Sequence, residues 1–254
     1  MKPLALALLL ITVLAGCSTS KDDGAWRVRE MALGRSSTVT FYGAGETVLL
    51  SVKRQTVQKL LLAHLRITRS AGVQAELFIV EGDDPNAFAG YINGQRMIAI
   101  SIAMIKLIGD DTDEFAALLG HEAAHWAKGH VDASQIRSST IRGIGTMVGA
   151  GLGVAGIPAA SIITGLSADL IEASYSRDDE READTLSIDY MLANGFDPQG
   201  AVRLQEKMLK LPGTLKVPFL STHPTGLERV AHLKQVIEAK RSQPLVDQAS
   251  GKNP

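Results

Sequence analysis

Cysteine is almost missing from this sequence: Cys17 is the single one among 254 residues. An intramolecular disulfide framework and every Cys-rich zinc site are thereby excluded. Aromatic residues make up only 5%, and 26 Lys+Arg stand against 27 Asp+Glu, a formal charge of −1. A chain with neither a basic surface nor many stacking rings is poorly suited to phosphates and bases, so nucleic acid is not expected as a partner. Long apolar runs are scarce too. A mean hydropathy of +0.09 fits neither a polytopic membrane protein nor a disordered chain. What is present is 45% hydrophobic residues over 254 positions, which at roughly 150 residues per domain makes one large or two small domains with a real core.

The start of the chain carries an address. Lys2 precedes an apolar run from Leu4 to Leu14, and small residues follow. That is the layout of a secretory signal, and the run is too short to span a bilayer. Leu14-Ala15-Gly16-Cys17 resembles a bacterial lipobox, in which the signal is cut before the cysteine and the cysteine is acylated. Ser18 rather than Asp follows, which by resemblance to lipoprotein sorting points to the outer membrane, with the chain facing the periplasm. Several acyl chains anchor stably by hydrophobic partition. The alternative is an ordinary signal peptide with a stray cysteine. The expected organisation is a signal at 1–16, a lipid-anchored tether and N-terminal segment at 17–50, a domain at 51–241 and a polar, frayed tail at 242–254.

Apolar spacing predicts a helix over Val52–Ile67, with His64 as a core histidine on its apolar face. Ala75–Val80 reads as a strand. Ala87–Ile92 and Arg96–Ile100 flank Asn93-Gly94, a strong hairpin signal because both turn positions favour positive φ. Asp111 and Glu114 have capping-box spacing ahead of a helix expected from Thr112 to about Val131. Residues 143–168 are uncharged and Gly-rich, with Pro158 inside. They read as an apolar loop, a packed helical hairpin or a contact with the lipid surface. Gly151, Gly153 and Gly156 match a dinucleotide fingerprint formally, but no strand precedes them. Further helices are expected from before Arg177 to Asn194, from Pro198 to Leu211 and from Pro224 to Lys240.

Chemistry concentrates in Gly120-His121-Glu122-Ala123-Ala124-His125-Trp126. At about 100° per residue, His121 and His125 lie roughly 40° apart on one helical face, so both rings can reach one Zn²⁺ with Glu122 beside it as general base. On a continuous helix His130 points away from His121 and is read as structural. A catalytic zinc needs a third protein ligand, and the acidic run Asp178–Asp184 is the obvious supplier. Glu180 as ligand and Asp184 as acceptor from a histidine N–H gives both an i,i+4 role. The competing reading is a solvated acidic helix start, favoured by the macrodipole.

With these residues in view, the chain resembles the HtpX/BepA/LoiP group of zinc metallopeptidases, related to the Oma and CAAX prenyl proteases. His121-Glu-Ala-Ala-His125, Glu180-Arg-Glu-Ala-Asp184, Ser221-Thr-His223-Pro224 and Asn86-Ala87-Phe88-Ala89 carry the resemblance, over about Val52 to Lys240. It implies an α+β fold: a mainly helical, zincin-like (gluzincin) domain with a small β-sheet or hairpin beside the active-site helix. It places one zinc on His121, His125 and Glu180 and the base on Glu122. It further implies endopeptidase action on misfolded or misassembled envelope proteins, with outer-membrane assembly machinery as a possible partner. His223 is either an N-cap residue before Pro224 or a group near the metal, at its fourth position or stabilising the oxyanion. Asn86 and Phe88 are substrate-binding candidates. Arg229 either orients a substrate carbonyl or the acidic cluster, or forms a surface ion pair. A non-catalytic chaperone or scaffold lipoprotein, using the same cleft for binding, is the alternative function. Extended substrates are expected to pair with an edge of Ala87–Ile92 or Arg96–Ile100.

Overall fold

Short strands and short helices alternate before the first long helix. The computed structural model describes residues 25–92, 94–136, 175–211, 223 and 226–242. Cys17, the Gly-rich 143–168 stretch and the tail from 243 lie outside the described residues, as do Ser221, Thr222 and Pro224. The chain runs through β1 (Ala25–Arg27), α1 (Val28–Leu33), β2 (Thr38–Tyr42), β3 (Val48–Lys53) and α2 (Arg54–Ala71). It continues through β4 (Glu76–Val80), β5 (Ala87–Ile92), β6 (Gln95–Ser101), α3 (Ile102–Ile108) and α4 (Thr112–Ala127). After the undescribed stretch come α5 (Arg177–Ala193), α6 (Gln199–Leu209) and α7 (Leu227–Ser242). The result is mostly helical with a small mixed sheet, as the α+β reading expects. Among the described residues no helix is long and apolar enough to cross a membrane.

The sheet order is β1-β4-β6-β5, with β4 and β6 parallel and both outer pairings antiparallel. β4 and β6 read as continuous apolar runs because both of their faces are covered. Leu77, Ile79, Ile98 and Ile100, with Ala87 and Ala89, enter the main core on the helical side. Phe78, Val80, Met97 and Ala99 form a smaller cluster on the other side, and Phe88 packs there. The hairpin falls where expected, with Gly94 at φ 74°. β6 is paired on both sides, by β4 and β5, so the expected substrate edge at Arg96–Ile100 is not free; of the two hairpin strands β5 is the outer one among the described residues, opposite β1.

Within the expected N-terminal segment, residues 25–50 fold onto the domain. Trp26 and Phe41 are buried edge-to-face at 5.2 Å, and β1 completes the sheet against β4. Strands of three to six residues are too short to declare a period, which is why this part went unread. Val52 pairs with Val39 in the β2–β3 hairpin, so α2 begins at Arg54 rather than Val52.

α4 is the central element: every residue from Glu114 to Trp126 is buried. Asp111 caps it by accepting from the backbone N–H of Asp113 and Glu114. The reciprocal half of the expected capping box is absent, because the Glu114 carboxylate is buried and accepts from Lys207 at 2.7 Å. The helix ends at Ala127, short of Val131, because Gly129 turns at φ 71°; helix resumes at His130. α5 lies close against α4 at Gly120, where a Cβ would sit 2.6 Å from Ser187 Oγ. The Ser187 hydroxyl donates to the Ala117 carbonyl across this contact.

His64 is a core histidine as expected, donating through Nε2 to the Ala75 carbonyl at 2.9 Å. Burial, only partly offset by that bond, lowers its pKa to about 4. An unfolded histidine takes up its proton near pH 6.5. The contribution is therefore full above pH 6.5 and is lost as pH falls toward 4, by up to about 3 kcal/mol. Urea unfolding of His64→Gln between pH 7 and 4 should show a shallower loss of stability than the parent chain.

Candidate metal centre

His121 and His125 occupy successive turns of α4, and their Nε2 atoms lie 3.1 Å apart. α5 supplies the third group because its start is fixed. Ser176 Oγ accepts from the Asp179 N–H while the Asp179 carboxylate accepts from the Ser176 N–H, a full capping box. This sets Glu180 one turn into the helix, facing α4. Its oxygens lie 3.4 Å from His121 Nε2 and 3.3 Å from His125 Nε2. His223 enters from the segment before α7, with Nδ1 2.9 Å from Glu180 and 3.1 Å from His121 Nε2. His121, His125, Glu180 and His223 each offer one ligand atom, all within 4.8 Å of one another and all buried.

These groups fit a zinc ion. Tetrahedral zinc with nitrogen ligands near 2.1 Å separates its donors by about 3.4 Å, close to the spacings seen. His121 Nε2 faces both His125 Nε2 and His223 Nδ1 at 3.1 Å, and a single N–H there can serve only one of them, whereas a cation can take the lone pairs of all three. Charge points the same way. Glu122, Glu180 and Asp184 are buried carboxylates, whereas Arg229 is the buried guanidinium among them. A divalent ion balances the remainder, as burial of charge requires. Glu122 itself is fully buried, and among the described residues neither of its oxygens has a hydrogen-bond partner. The nearest described imidazole, His223, has Nε2 3.5 Å from it.

Asp184 and Arg229 form the layer behind. His121 Nδ1 lies 3.1 Å from Asp184 Oδ1. With Nε2 turned to the cluster, Nδ1 carries the proton and donates. Arg229 grips Asp184 through Nε at 2.8 Å and Nη2 at 2.5 Å, and reaches Glu180 Oε2 through Nη1 at 2.7 Å. Arg229 is buried, so it is not a surface ion pair; Nη2 also lies 3.2 Å from His121 Nδ1, and of the roles read from sequence these contacts favour orientation of the acidic cluster. Phe88 is likewise not at the centre, since it packs on the sheet face turned away from the helices. Asn86 is buried at the β5 entrance, where its backbone N–H donates to Ser101 Oγ.

Burial and charge divide the titrating groups. Burial opposes protonation of His121, but the Glu180 charge and the Asp184 bond outweigh it and push its pKa up to about 9. Burial holds His125 well below the ordinary histidine value. It raises the Glu122 carboxyl, against the opposing pull of His223 and His121. Glu180 and Asp184 are drawn below the usual carboxylate range: burial works to raise them, but His121 beside the first and Arg229 beside the second prevail.

Two neighbours were not found by the pattern. Tyr175, just ahead of the α5 cap, stacks on the His125 ring at 3.7 Å. His130, expected to point away, has Nδ1 3.1 Å from His125 Nδ1, because the Gly129 turn ends the helix before the wheel can carry it round. A glycine four residues past the second histidine was the available signal.

Paired imidazoles, a carboxylate from a second helix and a spare buried carboxylate make a centre for metal-assisted hydrolysis, so the fold and site define a metallopeptidase of the zincin type. The chain belongs to peptidase family M48, a family of zinc metalloproteases whose model matches residues 51–237. Metalloprotease LoiP of Escherichia coli is 23% identical over 250 residues, covering 94% of this chain and 97% of LoiP. Metalloprotease YcaL of Escherichia coli is 32% identical over 154 residues, 61% of this chain and 59% of YcaL. The beta-barrel assembly-enhancing protease of Escherichia coli is 25% identical over 230 residues, 87% of this chain but 46% of that protein.

Removing one partner from a buried ion cluster leaves uncompensated charge. Arg229→Ala should therefore destabilise the metal-free protein by about 3–5 kcal/mol, read by denaturant unfolding with excess chelator. Unchanged stability would return Arg229 to a surface role.

Proposed function

We propose that this chain is a zinc-dependent endopeptidase that cleaves unfolded or misassembled envelope proteins from a lipid anchor at Cys17 on the periplasmic side of the outer membrane. The observation that supports it most is the convergence of His121, His125 and Glu180 beside a buried Glu122 carboxylate, to which no described group hydrogen-bonds, in an M48 chain. Zinc, when bound, supplies a Lewis acid that makes water acidic near neutrality and polarises a carbonyl. Glu122 holds the proton taken from the attacking water on its carboxylate and returns it to the leaving amine. Burial raises its pKa above the ordinary carboxylate value, which favours keeping the proton until the amine leaves. Asp184, gripped by Arg229, keeps His121 in the tautomer that turns Nε2 to the metal. His223 stands beside Glu122 and Glu180, where it either takes the fourth metal position or meets the developing oxyanion.

Substrate selection follows from the sheet. β5 is the edge strand and packs beside α4. A substrate laid antiparallel along it is held by main-chain hydrogen bonds, largely blind to sequence. Such binding suits a protease for unfolded chains. The relative named as a beta-barrel assembly-enhancing protease supports an envelope role and a link to outer-membrane assembly.

The test is casein cleavage by purified protein with zinc counted per chain. Wild type should bind one zinc and cleave; a chelator should abolish cleavage and zinc should restore it. Glu122→Gln should keep its zinc and lose about 10²- to 10⁴-fold in rate, the usual worth of a general base. Glu180→Gln and His125→Ala should lose zinc. Binding of unfolded casein with no cleavage in zinc-loaded wild type would favour the chaperone reading. The anchor has its own test: Cys17→Ser should move the protein from the membrane fraction to the soluble one, and retention in the membrane would remove the lipid anchor.

A further inference from the structure

The outer nitrogen of a metal-bound histidine ordinarily donates to a carboxylate, a backbone carbonyl or water. His121 obeys this through Asp184. His125 does not: its Nδ1 faces another imidazole, Nδ1 of His130, at 3.1 Å, and both rings are buried. His130 Nε2 in turn lies 3.2 Å from Glu182 Oε2 and 3.5 Å from Asp179 Oδ1, and Glu182 Oε1 receives Lys128 Nζ at 2.6 Å. We infer that His130 is a positioning residue, an imidazole relay that joins the ligand His125 to the Glu182 and Asp179 carboxylates and locks His125 in its metal-binding tautomer.

The proton order follows from the donors and acceptors alone. An imidazole that gives Nε2 to a metal carries its proton on Nδ1. His125 Nδ1–H therefore donates, and His130 Nδ1 must accept. A neutral imidazole that accepts at one nitrogen donates from the other, so His130 Nε2–H points to Glu182. Each contact then has one donor and one acceptor, and reversing any of them leaves two protons or two lone pairs opposed. The break at Lys128-Gly129 makes this possible. Gly129 at φ 71° lets the chain double back, so that His130 lies over His125 instead of rotating away. Lys128, at the same break, holds the far end of the relay. Both ligand histidines of α4 are thus steadied from α5, one by a carboxylate directly and the other through a second ring.

This inference rests on the zinc reading of His125, so the experiment measures metal affinity rather than turnover alone. Zinc affinity is read by chelator competition and ligand geometry by the visible spectrum of the cobalt-substituted protein, with thermal melting of the metal-free forms as a check on folding. His130→Leu should bind zinc about 10- to 100-fold more weakly and shift the cobalt spectrum. His130→Asn, which keeps an acceptor near the Nδ1 position, should recover most of that affinity. Glu182→Ala, a half-exposed site that leaves the core intact, should weaken binding in the same direction and by less. A folded His130→Leu with wild-type zinc affinity and cobalt spectrum overturns the relay, as does His130→Asn performing no better than His130→Leu. Absence of zinc binding by wild type would instead bring down the proposed function beneath it.

Discussion

Gly120 lets α5 lie close enough to α4 for Ser187 to bond the Ala117 carbonyl, and that closeness carries Glu180 and Asp184 to the imidazoles. On α4 alone the two histidines are ring nitrogens on a buried helix. On α5 alone the carboxylates are an acidic first turn of the kind the macrodipole favours in solvent. Packed together, they form a buried polar cluster whose parts are satisfied only by one another or by a cation. Burial of α4 on all sides completes the effect, because low dielectric magnifies each charge within it.

The arrangement around the centre is layered. Nε2 atoms and one carboxylate face inward, while outer nitrogens and Arg229 hold their orientation. His121 is backed by a gripped carboxylate and His125 by a second ring and a stacked tyrosine. Glu122 differs from its neighbours in having no hydrogen-bond partner among the described residues, with His223 Nε2 3.5 Å away. The proposed substrate edge lies on a different element: β5 is the one hairpin strand whose outer side is unpaired among the described residues, and it packs directly on α4.

Legibility tracked the range of the interaction. The HExxH spacing is a property of one helix, so His121, Glu122 and His125 could be read without knowing their surroundings. Glu180 and Asp184 were legible because their i,i+4 spacing made a face and the partner motif gave that face a purpose. The Asn93-Gly94 hairpin was legible from turn chemistry. Residues 25–50 were not, since β1 to β3 are too short for periodicity and acquire meaning only by pairing with strands elsewhere. The side on which Phe88 lies is not legible, because strand alternation does not say which sheet face meets the helices. Arg229 stayed ambiguous for a similar reason: nothing local to α7 says that it will be buried against α5.

By itself the sequence determined the candidate metal-binding helix, with His121, Glu122 and His125 on it, and the acidic helix that answers it, because helical geometry fixes side-chain directions within a few turns. Only the tertiary structure decided that β5 rather than β6 is the edge, that Arg229 is spent on Asp184 and Glu180, and that His130 turns back onto His125. Each of those depends on contacts between residues far apart in the chain, or on one glycine's positive φ ending a helix that the apolar pattern would have continued.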